Sequence, residues 1–284
     1  MQEKCQFLRR PRILPTSNTE IPYLLLLLVM VPLTYWFEVW IVLPTLFHPS
    51  TLTYWIFFVL AHFILHNVIG NFLGIIMCDT SIRGRRMPTE ESPGVKFCSV
   101  CESLTPPRSY HCPTCNICIL KRDHHCVFTS CCIGHYNHRY FILFVFYMLF
   151  ATLISLPFNI YFLWDVLTFS ELSFVATMIF PVIMFLVDMG PDYIDMNTMY
   201  IVIFTINIGG LVFCAAWFYF HIQLIISGKV VHEMRRCIGS YNLGKEMNLK
   251  MVLGERWHLT WLSPFVFSQL PSDGITFPLG EKEE

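Results

Sequence analysis

Lysine and arginine occupy only three stretches of this 284-residue chain, and long apolar runs separate them. Four basic residues precede residue 13, eight fall in Arg83–Arg139, and seven follow Ser227. Residues 140–228 hold none, although their connecting segments carry Asp165, Glu171, Asp188, Asp192 and Asp195. Ile21 to Phe37 is apolar without a charge, and apolar character resumes after Glu38 to about Phe47. Similar runs follow at Leu52 to Met77, Tyr140 to Leu163 and Thr198 to Ile226. Each supplies the roughly twenty residues that cross the hydrocarbon of a bilayer. Basic residues collect on the cytosolic side of membrane spans, and four spans put all three basic stretches on that side. The fourteen residues 174–187, with Pro181 among them, are apolar but short for a span. A fifth span there would carry the seven basic residues of the tail across the membrane. The run therefore reads as a lumenal-side interfacial or re-entrant helix. The first run is too long for a signal peptide, and no small-residue cleavage site follows it.

The expected fold class is an all-α polytopic membrane protein with four transmembrane helices and a cytosolic cysteine-rich domain between spans two and three. A cytosolic N-terminal tail occupies 1–20 and spans one and two occupy 21–78. The cysteine-rich insert occupies 79–139, spans three and four with a lumenal loop occupy 140–226, and a cytosolic tail occupies 227–284. A composition of 55% hydrophobic and 14% charged residues is unusual for a soluble domain. The net charge of −1 says nothing about nucleic acid, but the cysteine-rich insert lies between two membrane spans and carries no dense basic face, which argues against that partner. Glu38 is expected to reach the membrane interface. His62, His66, Asn67 and Asn71 form one polar stripe, expected to face other helices.

The insert holds eight of the twelve cysteines between Cys98 and Cys132, with His111, His124 and His125 among them. Cysteines two residues apart, Cys98/Cys101 and Cys112/Cys115, are spaced to clamp a tetrahedral zinc from a tight turn. Interleaved histidines serve a metal and not a disulfide framework, and a cytosolic position keeps thiols reduced. Two zinc sites need eight ligands. The stretch offers more than that, and local spacing does not partition them. Asp123-His124-His125-Cys126 sets the parts of an activated thiol side by side: histidine can take the proton from cysteine, and aspartate can orient the imidazole.

The sequence CxxC, His-Cys-x2-Cys-x2-Cys, Asp-His-His-Cys and a cysteine six residues on resembles the cysteine-rich domain of the DHHC protein S-acyltransferases. These are the zinc-containing palmitoyltransferases of eukaryotic membranes. By that resemblance one structural zinc takes Cys98, Cys101, His111 and Cys118. The second takes Cys112, Cys115, His125 and Cys132. Cys131 is a neighbouring alternative, but the six-residue offset from Cys126 favours Cys132. His135 and His138 fall outside the ligand pattern. The resemblance implies that Cys126 attacks a fatty acyl-CoA such as palmitoyl-CoA, becomes acylated, and passes the acyl group to a cysteine of a membrane-associated protein substrate. His124 is then the base and Asp123 its support. Phe141 and Phe144 are available as walls for the acyl chain, and Arg108, Lys121, Arg122 and Arg139 for the phosphates of CoA. An endomembrane location, ER or Golgi, goes with the family.

In the tail, the segment 227–233 stands where the family has Thr-Thr-x-Glu. Asn242-Leu243-Gly244, with Asn248, Val252 and Gly254, resembles a packing motif whose asparagine binds backbone groups. Departures from the family are Val127-Phe128 for Pro-Trp, Ser130-Cys131 for Asn-Asn, Val230-Val231 for two threonines, and Asp79-Thr80-Ser81 for Asp-Pro-Gly. The nucleophile, its two partners and the eight ligands are intact, which predicts an active S-palmitoyltransferase. The alternative that the departures raise is a weak or inactive relative that acts as a membrane scaffold through its zinc domain.

Overall fold

The computed structural model describes residue 15 and residues 17–166, 196–235 and 241–280. The apolar run 174–187 and most of the N-terminal tail lie outside the described residues. Four helices are long and apolar enough to cross a membrane, which makes this a multi-pass membrane chain. They are α1 (Asn18–Leu46), α2 (Leu52–Met77), α3 (His138–Val166) and α4 (Met196–Ile226). Two short helices follow, α5 (Val231–Arg235) and α6 (Lys245–Leu253). In α1 the segment Glu38–Val42 widens to a π-helical turn. Pro44, just beyond it, has no N–H to close the preceding turn.

The cysteine-rich insert is not helical. It consists of three two-stranded antiparallel hairpins. Strand β1 (Lys96–Cys98) pairs β2 (Ser103–Thr105), β3 (Tyr110–Cys112) pairs β4 (Ile117–Ile119), and β5 (His124–Cys126) pairs β6 (Cys131–Ile133). An isolated two-stranded hairpin is marginal in water, so strands of three residues need another constraint.

The chain divides into two compact units. One comprises Leu28–Leu65 and Val145–Trp217. Its described part is helical, with a core of Phe37, Val42, Phe162, Leu163, Ile201, Ile203 and Phe204. Within it Asn159 donates to Glu38 Oε1 at 2.7 Å, and Tyr35 meets His62 at 2.8 Å. Glu38 thus has the donor that a carboxylate on an apolar span needs.

The second unit comprises Met1–Leu27, His66–Phe144 and Phe218–Glu284. It holds the three hairpins, and its core of Ile142, Leu143, Ile225, Val252 and Leu253 joins α3, α4 and α6. The polar stripe of α2 is shared: His62 meets Tyr35 of α1, as expected of a stripe facing other helices, whereas His66 and Asn67 meet the C-terminal tail. His66 bonds Ser263 at 3.2 Å, and Asn67 donates to the Leu262 carbonyl at 3.4 Å. A loop has carbonyls to spare, whereas those of a helix interior are already engaged.

Candidate metal centres and active site

The three hairpins share one turn. A cysteine ends the first strand, and the fourth residue after it has a left-handed backbone: Cys98 and Glu102 (φ 49°), Cys112 and Asn116 (φ 50°), Cys126 and Ser130 (φ 48°). That conformation costs about 1 kcal/mol for a residue with a Cβ, so its recurrence needs a cause. In the first two turns the residue between is Cys101 or Cys115, and it faces the opening cysteine. In the third it is Thr129.

His111 Nδ1 lies 3.8, 3.4 and 3.9 Å from the sulfurs of Cys98, Cys101 and Cys118. His125 Nδ1 lies 3.6, 3.4 and 3.6 Å from those of Cys112, Cys115 and Cys132. The sulfurs of Cys115 and Cys132 are 3.7 Å apart. A tetrahedral zinc with ordinary bond lengths separates two sulfurs by about 3.8 Å, and sulfur from nitrogen by about 3.6 Å. Both sets fit, and three thiolates with one imidazole are a donor set that zinc favours. Cys131 is not in either set; its sulfur sits 3.4 Å from Thr129 Oγ1. His135 is elsewhere too: its Nε2 donates to the Ser272 carbonyl at 2.9 Å, and burial pulls the ring down to about 3.

Cys126, at the end of β5, is 8% exposed. Asp123 is buried and anchored on both oxygens. His124 Nδ1 donates to Oδ2 at 2.7 Å, and the Val231 N–H donates to Oδ1 at 2.9 Å. His221, from α4, brings its Nδ1 to 3.5 Å from Oδ2. Burial works against the Asp123 charge, but the His124 bond together with the charges of His138, His124 and His221 outweighs it and holds the carboxyl well below the usual range. Burial also pulls the His124 imidazolium down, yet Asp123 and then Cys126 lift it to about 9. Burial pushes the Cys126 thiol up, and His124 followed by Thr129 brings it below its ordinary value. His124 Nε2 makes no hydrogen bond of good geometry, so we read the sulfur as a nearby charge and not a tight partner. Phe141 stands edge-on to the rings of His124 and His221, each 4.9 Å away. Asp123, His124 and His221 are also close enough to hold a metal ion, but the Nδ1 proton of His124 is already given to Asp123.

The four cations singled out in the sequence have different surroundings. Arg108 grips Glu233 with two bonds, Nε to Oε1 at 2.6 Å and Nη2 to Oε2 at 2.7 Å, and lies over Tyr241. Lys121 donates to the Met251 carbonyl at 3.2 Å, and burial pulls its ammonium down to about 7. Arg139 donates to the Tyr140 hydroxyl at 2.6 Å. All three are buried; Arg122 is partly exposed. In the tail, the Asn248 amide donates to the Ile226 carbonyl at 2.8 Å and accepts from the Leu243 N–H at 3.0 Å. This ties the end of α4 to α6. Where the family's threonines are missing, backbone does the bonding: the Val230 N–H donates to Glu233 at 3.0 Å and that of Val231 to Asp123.

Sequence reasoning missed His221, the Val231 N–H and Thr129. A single histidine within an apolar run carries no spacing signal, and a backbone donor carries none at all. Cys126-x2-Thr129 does echo the two CxxC turns and was readable.

The DHHC palmitoyltransferase family profile matches residues 91–242. The probable palmitoyltransferase ZDHHC24 of Rattus norvegicus is 34% identical over 77% of this chain and 76% of its own length. Its Homo sapiens counterpart is 36% identical over the same shares. The probable protein S-acyltransferase 13 of Arabidopsis thaliana is 29% identical over 61% of this chain and 53% of its own. With the profile covering more than half of its residues, the chain belongs to the DHHC palmitoyltransferase family.

Proposed function

We infer that this chain is a protein-cysteine S-palmitoyltransferase, moving a fatty acyl group from acyl-CoA to cysteines of membrane-associated proteins. The observation that carries the reading is the buried series Val231 N–H, Asp123, His124 and Cys126, in a family whose members bear that activity in their names.

In the first half-reaction Cys126 gives its proton to His124, and the thiolate adds to the thioester carbonyl of acyl-CoA. The carbon–sulfur bond to CoA breaks, and the CoA thiolate takes the proton from the imidazolium. In the second, a substrate cysteine gives its proton to His124 and attacks the acyl-Cys126 carbonyl. Cys126 leaves as a thiolate and is reprotonated. Asp123 keeps the imidazole oriented and favours its charged form in both halves. Zinc bound by the two Cys3His sets would supply a rigid frame for the hairpins; His125 would hold one ion while fixing the backbone under Cys126.

Phe141 and Phe144 would line the path of the acyl chain. Of the four cations, Arg122 is the one with exposed surface to offer CoA phosphates; Arg108, Lys121 and Arg139 would first have to give up buried bonds. The distribution of Lys and Arg supports cytosolic termini and a cytosolic hairpin domain. An ER or Golgi membrane follows from the resemblance alone. The scaffold alternative rested on all the departures from the family pattern; at one of them, where two threonines are missing, backbone N–H groups of Val230 and Val231 make bonds to Glu233 and Asp123.

Purified full-length protein incubated with labelled palmitoyl-CoA tests the reading. Hydroxylamine-sensitive label is expected on wild type and absent from Cys126→Ser at unchanged zinc content. A wild type that holds two zincs and takes no label would leave the scaffold standing.

A further inference from the structure

Glu20 closes the 3-10 turn Asn18–Glu20 at the head of α1, and it is 4% exposed. Its Oε1 accepts from Nε2 of His125 at 2.7 Å. The other nitrogen of that ring faces the sulfurs of Cys112, Cys115 and Cys132. Ser17 and Glu20 have the Ser-x-x-Glu spacing of a helix capping box. Ser17 does its part, with its hydroxyl accepting from the Thr19 N–H. Glu20 does not turn back to close the box. Its carboxylate goes to a histidine 105 residues further along the chain.

A buried carboxylate at the head of an apolar span needs a strong donor. The outer N–H of a metal-bound imidazole is such a donor, and a carboxylate on it fixes the tautomer and raises the basicity of the ligating nitrogen. We propose that Glu20 is the outer carboxylate of the second metal centre, so that the head of the first span positions the ligand next to the nucleophile. Among the described residues no carboxylate meets the outer nitrogen of His111. The two centres therefore hold their ions unequally, and the second depends on the N-terminal segment. This rests on the reading of Cys112, Cys115, His125 and Cys132 as a zinc site.

The test is zinc release from full-length protein in nanodiscs, challenged with excess 4-(2-pyridylazo)resorcinol. Glu20→Gln keeps the shape and removes the charge. It should release one zinc per chain roughly 10- to 100-fold faster than wild type and the other at the wild-type rate. In a His125→Cys background the fourth ligand has no outer nitrogen, and adding Glu20→Gln should change nothing. Unchanged release in the single variant, equal acceleration of both ions, or the same acceleration in the cysteine background would each overturn the proposal. Wild-type protein without a second bound zinc would remove the metal reading itself, and the proposal with it.

Discussion

At the scale of single residues the proposed chemistry turns on Asp123, because a buried carboxylate stays charged only while donors surround it. The His124 bond at 2.7 Å and the Val231 N–H at 2.9 Å are those donors. The imidazolium they sustain persists to about pH 9, and the Cys126 thiol ionises below its ordinary range. The imidazolium thus favours the thiolate, and the acylation rate of wild type should change less with pH than that of a variant without the ring. Without the imidazole, burial opposes the thiolate with only Thr129 still favouring it, so the thiolate fraction at neutral pH falls and grows again as pH rises. His124→Ala should lose on the order of a hundredfold near pH 7 and regain rate toward pH 9. A loss independent of pH would place His124 outside the proton path. The Val231 bond makes a second case. Val231 opens α5, a position where proline is tolerated but donates nothing. Val231→Pro should cost roughly tenfold in single-turnover acylation, the worth of a bond to a charged group, with zinc content intact. Val231→Thr keeps the N–H and should be close to neutral.

Between elements Arg108 and Glu233, both buried, form a two-bonded tie that joins the segment after β2 to α5. Removing one partner of such a pair strands the other charge, at about 3–5 kcal/mol. Arg108→Ala should therefore lower the midpoint of thermal unfolding markedly, and Arg108→Lys should not restore it, since lysine lacks the two-pronged fork. Combining Arg108→Ala with Glu233→Gln should recover part of the loss. The hairpins have a different weakness. Strands of three residues cannot hold themselves, so chelation should make residues 96–133 sensitive to protease and abolish labelling while far-ultraviolet dichroism keeps its helical signal. Survival of the hairpins without metal would assign their stability to packing. The cysteine spacings made this region legible, down to which histidine joins which set once the family was named. Spacing could not reveal Glu20 against His125 or His221 against Asp123. Those pairings are made by the fold bringing helix ends to the hairpins, and each residue alone reads as an ordinary polar side chain on an apolar helix. The same limit explains the stripe on α2: its spacing pointed to other helices, as the contact of His62 with Tyr35 bears out, but not to the loop at Leu262 and Ser263.

At the scale of the whole molecule the four spans were legible because membrane hydrocarbon imposes length and apolarity on every crossing helix. Orientation is a separate matter, set by charge. Nineteen Lys and Arg residues fall in three stretches, and residues 140–228 between the second and third hold none. An even number of spans returns the tail to the side of the N-terminus, and two spans before the insert place it there as well. Reversing the molecule would put all nineteen on the lumenal side against the cytosolic preference for basic residues. Epitope tags at both termini and near Glu91 should therefore all be accessible from the cytosol in selectively permeabilised cells. A glycosylation acceptor placed beside Asp192 should be modified. A fifth crossing at 174–187 would invert only the residues C-terminal to it, so the C-terminus would be protected from protease in sealed vesicles while the tag near Glu91 stayed exposed. The active site argues against that outcome. Val231, in the tail, donates to Asp123, in the insert, and two segments that share a hydrogen bond cannot lie on opposite sides of a bilayer. Protection of the C-terminus would thus contradict the charge rule and the bond to Asp123 together.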